Sequence, residues 1–185
     1  MEKKEKSKVR KIVNTVIYFV LVSLLLTYIG MEIVFPDSTA KIMQVKVTNV
    51  VSDSMEPNIN TLDAIVITNF KGSNLKVGDV ITFKKKLPGI AEAQYVTHRI
   101  VEINTSSSGE LSFKTKGDKP IIVDNWDVSE AEIIGKYLFR IPKGGYIILF
   151  FQSWVGFAII GFNLVIIGTI VYIIKSDKKE KKKKE

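Results

Sequence analysis

The sequence predicts a mainly β protein: a small antiparallel β-barrel-like extracytoplasmic domain set between two transmembrane α-helices. Three observations carry this. Two long stretches, Ile12 to Met31 and Gly144 to Ile174, contain no Asp, Glu, Lys, Arg or His. Between them lie six short runs rich in Val, Ile and Thr, separated by clusters of turn formers. Lysine-rich tails flank the two apolar stretches on their outer sides.

Residues 1–11 carry six Lys/Arg and two Glu, a charge of +4. Residues 12–31 match the roughly 20 apolar residues with which a helix crosses a bilayer core of about 30 Å. That run is longer than the roughly 7–15-residue core of a cleavable signal peptide. Ser38-Thr39-Ala40, though small, is therefore not expected to be a cut site. Residues 144–174 exceed what one span requires. Gly144 to Ser153 is expected along the interface and Trp154 to Ile174 across the bilayer, with Trp154 and Tyr172 as aromatic anchors. Residues 175–185 carry seven Lys and three acids, +4 again. Cationic flanks stay on the cytoplasmic side, facing anionic lipid. The expected protein is thus a multi-pass cell-membrane protein with both termini inside and residues 32–143 outside.

Strands are expected at Lys41 to Val51, Leu62 to Thr68, Val80 to Lys85, Gln94 to Ile103, Leu111 to Lys116 and Glu132 to Ile141. Lys71-Gly72-Ser73-Asn74, Val77-Gly78-Asp79, Leu87-Pro88-Gly89 and Ser106-Ser107-Ser108-Gly109 separate them. No internal repeat and no long external helix is evident, and the lysine tails are expected to be disordered.

Composition removes several function classes. The net charge of +8 resides in the tails, and the middle balances 14 basic against 14 acidic residues. The external part has no cationic excess to engage phosphates, so no nucleic-acid partner is expected. There is no cysteine, hence no disulfide and no thiol chemistry. One histidine and no calcium-loop spacing leave no expected metal site and no cofactor.

What remains is a serine. In Ser52-Asp53-Ser54-Met55-Glu56-Pro57 the proline forbids helix continuation and keeps Glu56 out of the α region. Ser54 therefore sits on a turn at a strand's end, where a hydroxyl can face a cleft. It can attack an acyl group only if a base takes its proton, and His98 is the only imidazole in the chain. Imidazole, with an ordinary pKa of about 6.5, suits that task near neutral pH. Period-2 alternation puts His98 on one face with Val96 and Ile100, and Thr97 and Arg99 on the other. A carboxylate is needed to fix the imidazole tautomer. Asp118 and Asp124 both follow the expected strand 111–116, with Asp127 as a spare. An oxyanion site would come from the Ser54 backbone N–H, with the Ser52 hydroxyl as second donor.

These residues resemble the type I signal peptidases of the endoplasmic-reticulum and archaeal, histidine-bearing branch. Ser52-Asp53-Ser54-Met55-Glu56-Pro57 matches the family's S-x-S-M-x-P box, whose second serine is the nucleophile. Gly78-Asp79-Val80-Ile81-Thr82-Phe83 is similar to its G-D-[IV]-[IV]-x-[FY] strand, and Thr97-His98-Arg99-Ile100-Val101 to its histidine box. Lys116-Gly117-Asp118 begins its K-G-D-N-N box, with Asp124 six residues on, where a second aspartate is expected. Asp53 stands where glycine is common, and Lys119-Pro120 replaces the paired asparagines. The resemblance covers about residues 12–142 and favours Asp124 over Asp118 as the partner of His98, with Asp118 ordering the loop or sharing the role. It implies a serine endopeptidase that removes signal peptides, after small residues, from exported preproteins near membrane lipid. Accessory subunits are unspecified. The alternative is a non-catalytic, membrane-anchored β-module that binds exported peptides or a partner protein.

Overall fold

The computed structural model describes residues 2–87 and 89–184, and side chains from Arg10 to Tyr172 save those of Pro88 and Val171. Pro88 of the expected Leu87-Pro88-Gly89 turn, and the side chains of the outermost lysines, lie outside that description.

Helix α1 (Glu2–Val34) leads into a short helix α2 (Thr39–Met43), and seven strands follow. These are β1 (Val45–Asn49), β2 (Ala64–Thr68), β3 (Val80–Lys86), β4 (Ala93–Thr105), β5 (Leu111–Lys116), β6 (Asp127–Ser129) and β7 (Ile133–Ile141). Helices α3 (Gly145–Gln152) and α4 (Trp154–Lys184) close the chain. The strands form one sheet in the order β1-β2-β7-β3-β4-β5-β6, and every neighbouring pair is antiparallel.

The mainly antiparallel β expectation holds, but the barrel does not close. The two edge strands offer each other no ladder. β6 has three residues and passes at once into the 3-10 turn Glu130–Glu132. On the other edge, the Val47 N–H of β1 donates to the Tyr28 hydroxyl of α1 at 2.9 Å. The tails also differ from expectation, since α1 begins at Glu2 and α4 runs to Lys184.

The core has two clusters. Met55, Ile59, Ile65, Ile67, Val80 and Ile134 centre one, with Ala40 and Val50. Ile81, Phe83, Ile100, Phe113, Val128 and Ile133 centre the other, with Leu75. Burying such side chains stabilises the fold by roughly 1.5–3 kcal/mol each. The first cluster reaches into the loop after β1, so the Ser54 turn is tied down by its own neighbours Met55 and Ile59. In α2, Thr39 and Ala40 are fully buried. Gly78, at φ +95°, makes the tight entry to β3 that a side-chain-bearing residue would strain. Its N–H donates to Ile100 O at 2.8 Å, joining that turn to β4.

Arg10–Val34 is long and apolar enough to cross a membrane. Among the described residues, Gly145–Gln152 and Trp154–Ile170 pass the same test together as a pair bent by 74°. The break between the two helices falls at Ser153.

Candidate active site

Ser54 lies in the turn that follows β1, and His98 near the middle of β4, paired across the sheet with Ile81 of β3. His98 and Ile100 are buried on one face, and the imidazole packs edge-on against Phe83 with ring centres 6.4 Å apart. Its Nε2 is 3.2 Å from Ser54 Oγ, and its Nδ1 is 2.6 Å from Asp124 Oδ2. Asp124 comes from the loop after β5. That loop turns back on the strand: the Asp124 N–H donates to Thr115 O at 2.9 Å, and the Thr115 hydroxyl donates to Asp124 Oδ2 at 2.6 Å. An ionised carboxylate only accepts, so the proton shared with it belongs to Nδ1. Nε2 is then left with its lone pair toward Ser54.

Asp118 is engaged elsewhere. It accepts from Arg99 Nε at 2.8 Å, from a second Arg99 nitrogen at 2.7 Å, and from Asn58 Nδ2 at 2.8 Å. These bonds, led by those from the guanidinium, hold its carboxyl below the usual carboxylate range. The same arginine donates to Gly78 O at 2.8 Å. The network thus links β4, the β3 entry turn, the 117–124 loop and the segment after Ser54. Asp127 sits on β6 in an exposed ion pair with Lys114, apart from the Ser54–His98–Asp124 line.

The 117–124 loop also touches the serine turn directly. Lys119 N–H donates to Ser54 O at 2.9 Å. A Cβ on Gly117 would stand 2.6 Å from that same carbonyl oxygen, so only glycine passes there. Lys119 Nζ reaches Asp53 Oδ2 at 2.5 Å and Glu56 Oε2 at 3.2 Å. The two positions that depart from the resemblance therefore lie against each other. Ser52 Oγ is 3.1 Å from Ser54 Oγ, and the Ser54 N–H has no acceptor among the described residues.

Ser54 and His98 open on a cleft of about 350 Å³ lined on one side by Thr48 to Ser52 and on the other by Gln94 to Thr97, with Trp126. Both walls have open strand edges. β1 pairs with β2 alone, and pairing of β4 with β5 begins only at Arg99. A wider depression of about 610 Å³ at the β3–β4 turn is lined, among the described residues, by Lys86, Leu87, Gly89, Ile90 and Ala91. Among the described residues no three His, Cys, Asp or Glu side chains gather as a metal site.

Sequence reasoning singled out Ser52, Ser54, His98, Asp118 and Asp124, and the fold brings all five into this region. It did not find Thr115 or Asn58. A hydroxyl in a strand and an amide after a proline carry no signal until the chain folds.

Hydroxyl, imidazole and carboxylate thus stand in one hydrogen-bonded line beside the cleft. Comparison with known proteins gives this a direction. Over 113 residues the chain is 25% identical to the "Signal peptidase complex catalytic subunit SEC11C" of Homo sapiens, covering 57% of this chain and 56% of that protein. The proteins of the same name from Canis lupus familiaris and Mus musculus match to the same extent. The chain spans about half the length of the curated relatives it matches. No family model matches it. The similarity supports a relationship to the signal peptidase I-type family at a coarse level.

Proposed function

We propose that the chain is a membrane-bound serine endopeptidase that removes signal peptides from exported preproteins. One observation carries this: His98 Nε2 lies 3.2 Å from Ser54 Oγ while its Nδ1 lies 2.6 Å from Asp124. The similarity to a signal peptidase catalytic subunit supplies the substrate class. Ser54 Oγ attacks the scissile carbonyl as His98 Nε2 takes its proton, and Asp124 holds the imidazolium that forms. The Ser54 N–H and the Ser52 hydroxyl receive the developing oxyanion. Collapse expels the new amine, which leaves with the proton from His98. Water then attacks the acyl carbon as His98 takes its proton, and His98 returns a proton to Ser54 Oγ as the ester bond breaks and the acid leaves. Asp118 orders the loop that carries Asp124.

Two further inferences belong to this proposal. α1 and the bent α3–α4 pair both cross the bilayer, with the basic tails in the cytoplasm and the sheet on the outer face. A substrate lies extended in the cleft, using the open edges of β1 and β4. The tether raises the effective concentration of membrane-held preproteins near Ser54. Co-expression of the full chain with a reporter preprotein tests the function. Processing is expected with the native chain and not with Ser54→Ala at equal abundance; equal processing by both overturns the proposal.

A further inference from the structure

Ser54 is the second residue of the turn Asp53–Glu56, closed by the Glu56 N–H donating to Asp53 O at 3.1 Å. The core grips this turn from one side through Met55, which is fully buried. A single residue of the 117–124 loop grips it from the other. Lys119 Nζ donates to Asp53 Oδ2 at 2.5 Å and to Glu56 Oε2 at 3.2 Å, bridging the side chains at the turn's two ends. The Lys119 backbone N–H donates to Ser54 O at 2.9 Å, within the turn. One residue thus holds the first, second and last residues of the turn that carries the serine.

Asp53 and Lys119 each favour the charged form of the other. The hydrogen bond from Lys119 holds the Asp53 carboxyl below the usual carboxylate range. The bonds to Asp53 and Glu56 in turn raise the Lys119 ammonium above its own. Both side chains are more than half exposed, so the pair adds little to stability. Its leverage is geometric. The Asp53–Ser54 peptide is planar, so a C=O fixed on the Glu56 N–H turns the Ser54 N–H the opposite way. That N–H has no acceptor among the described residues, and it is the donor that the proposed reaction aims at its oxyanion. A donor that swings off its line loses bond strength steeply. Asp53 and Ser54 flank this peptide plane, and Lys119 holds both.

We infer that Lys119 is a positioning residue, which clamps the Ser54 turn and so aims the Ser54 N–H at the oxyanion. This rests on the peptidase function proposed above and adds to it a residue outside the Ser54–His98–Asp124 line. Asp53 and Lys119 are also two of the positions at which the chain leaves the boxes it resembles, so the clamp is a pair particular to this chain.

The test uses the full chain in detergent with a purified preprotein, and kcat is referred to the folded fraction measured by circular dichroism. Lys119→Met keeps the backbone bond and removes the ammonium. It is expected to lower kcat about fivefold, the upper end of what an exposed ion pair supplies, and to leave KM unchanged. Lys119→Arg, which keeps the charge, is expected to retain most of the native kcat. Asp53→Asn removes the opposite charge and gives the same reading where Lys119→Met does not fold. It is expected to lower kcat by itself and to add nothing once Lys119→Met is present. Placed in Asp124→Asn, Lys119→Met is expected to lower the residual rate by the same factor, because oxyanion stabilisation survives loss of the carboxylate. No further loss in that background overturns the oxyanion role. Native kcat in both Lys119→Met and Asp53→Asn, or a loss confined to KM, overturns the clamp while leaving the peptidase intact. A folded native chain that leaves the preprotein uncut overturns the peptidase, and the clamp with it.

Discussion

Asp124 and Asp118 stand six residues apart on one loop, yet only Asp124 reaches the imidazole, at 2.6 Å from His98 Nδ1. Asp118 is held by Arg99 and Asn58. Their substitutions should therefore fail in different ways. Asp124→Asn lowers kcat by about three to four orders of magnitude with little change in stability, because an amide cannot hold the same tautomer. Asp118→Ala destabilises the fold by about 1–3 kcal/mol, since it leaves a guanidinium without its acceptor. Steady-state kinetics and chemical denaturation on both variants separate the two outcomes.

The Asp118 carboxyl also predicts an acid limb. Its affinity for protons is lowered on folding, chiefly by the hydrogen bonds from Arg99. The unfolded chain, whose carboxyl has a pKa of about 3.9, then binds the proton more tightly. The stability it contributes is complete above that value and is lost as pH falls through the lower folded value. Unfolding followed from pH 5 downward should show this loss below about pH 4. In Asp118→Asn the slope in that window should be shallower.

Thr115 offers a test free of charge changes. Its hydroxyl donates to the same Asp124 oxygen that His98 engages. Thr115→Val keeps the shape and removes one bond to a charged acceptor, so kcat should fall about tenfold with KM nearly unchanged. A variant whose loss appears only in KM would assign Thr115 to substrate binding.

Gly117 is fixed by crowding rather than by backbone angle. An added Cβ would stand 2.6 Å from Ser54 O and 2.8 Å from Pro120 Cδ. Gly117→Ala should cost about 1–3 kcal/mol. It should also lower kcat, since relief requires the serine turn and the Asp124 loop to part. Thermal unfolding and kinetics on the same preparation check both.

Much of this fold was legible in the sequence because the strands announce themselves by alternation and by glycine-bearing turns. β6 was not, since Asp127-Val128-Ser129 offers a single apolar residue. The front of the expected first strand became α2, whose Thr39 and Ala40 are buried against neighbours that only the folded chain brings close. Barrel closure failed for a similar reason: the hydroxyl that occupies Val47 lies 19 residues away on α1. At the site, Ser54 and His98 stood out because the chain has one imidazole. Asp118 and Asp124 could not be separated by spacing, since the reach of Arg99 and the hydroxyl of Thr115 distinguish them.

The central claim is that Ser54 and His98 work as one unit, and a kinetic cycle on a purified preprotein tests it most directly. Ser54→Ala and His98→Ala are each expected to lower kcat by about four orders of magnitude or more, and the double variant no further, because either loss disables the same proton transfer. A single variant that cleaves at the native rate, or a double variant in which the two losses simply multiply, would contradict it.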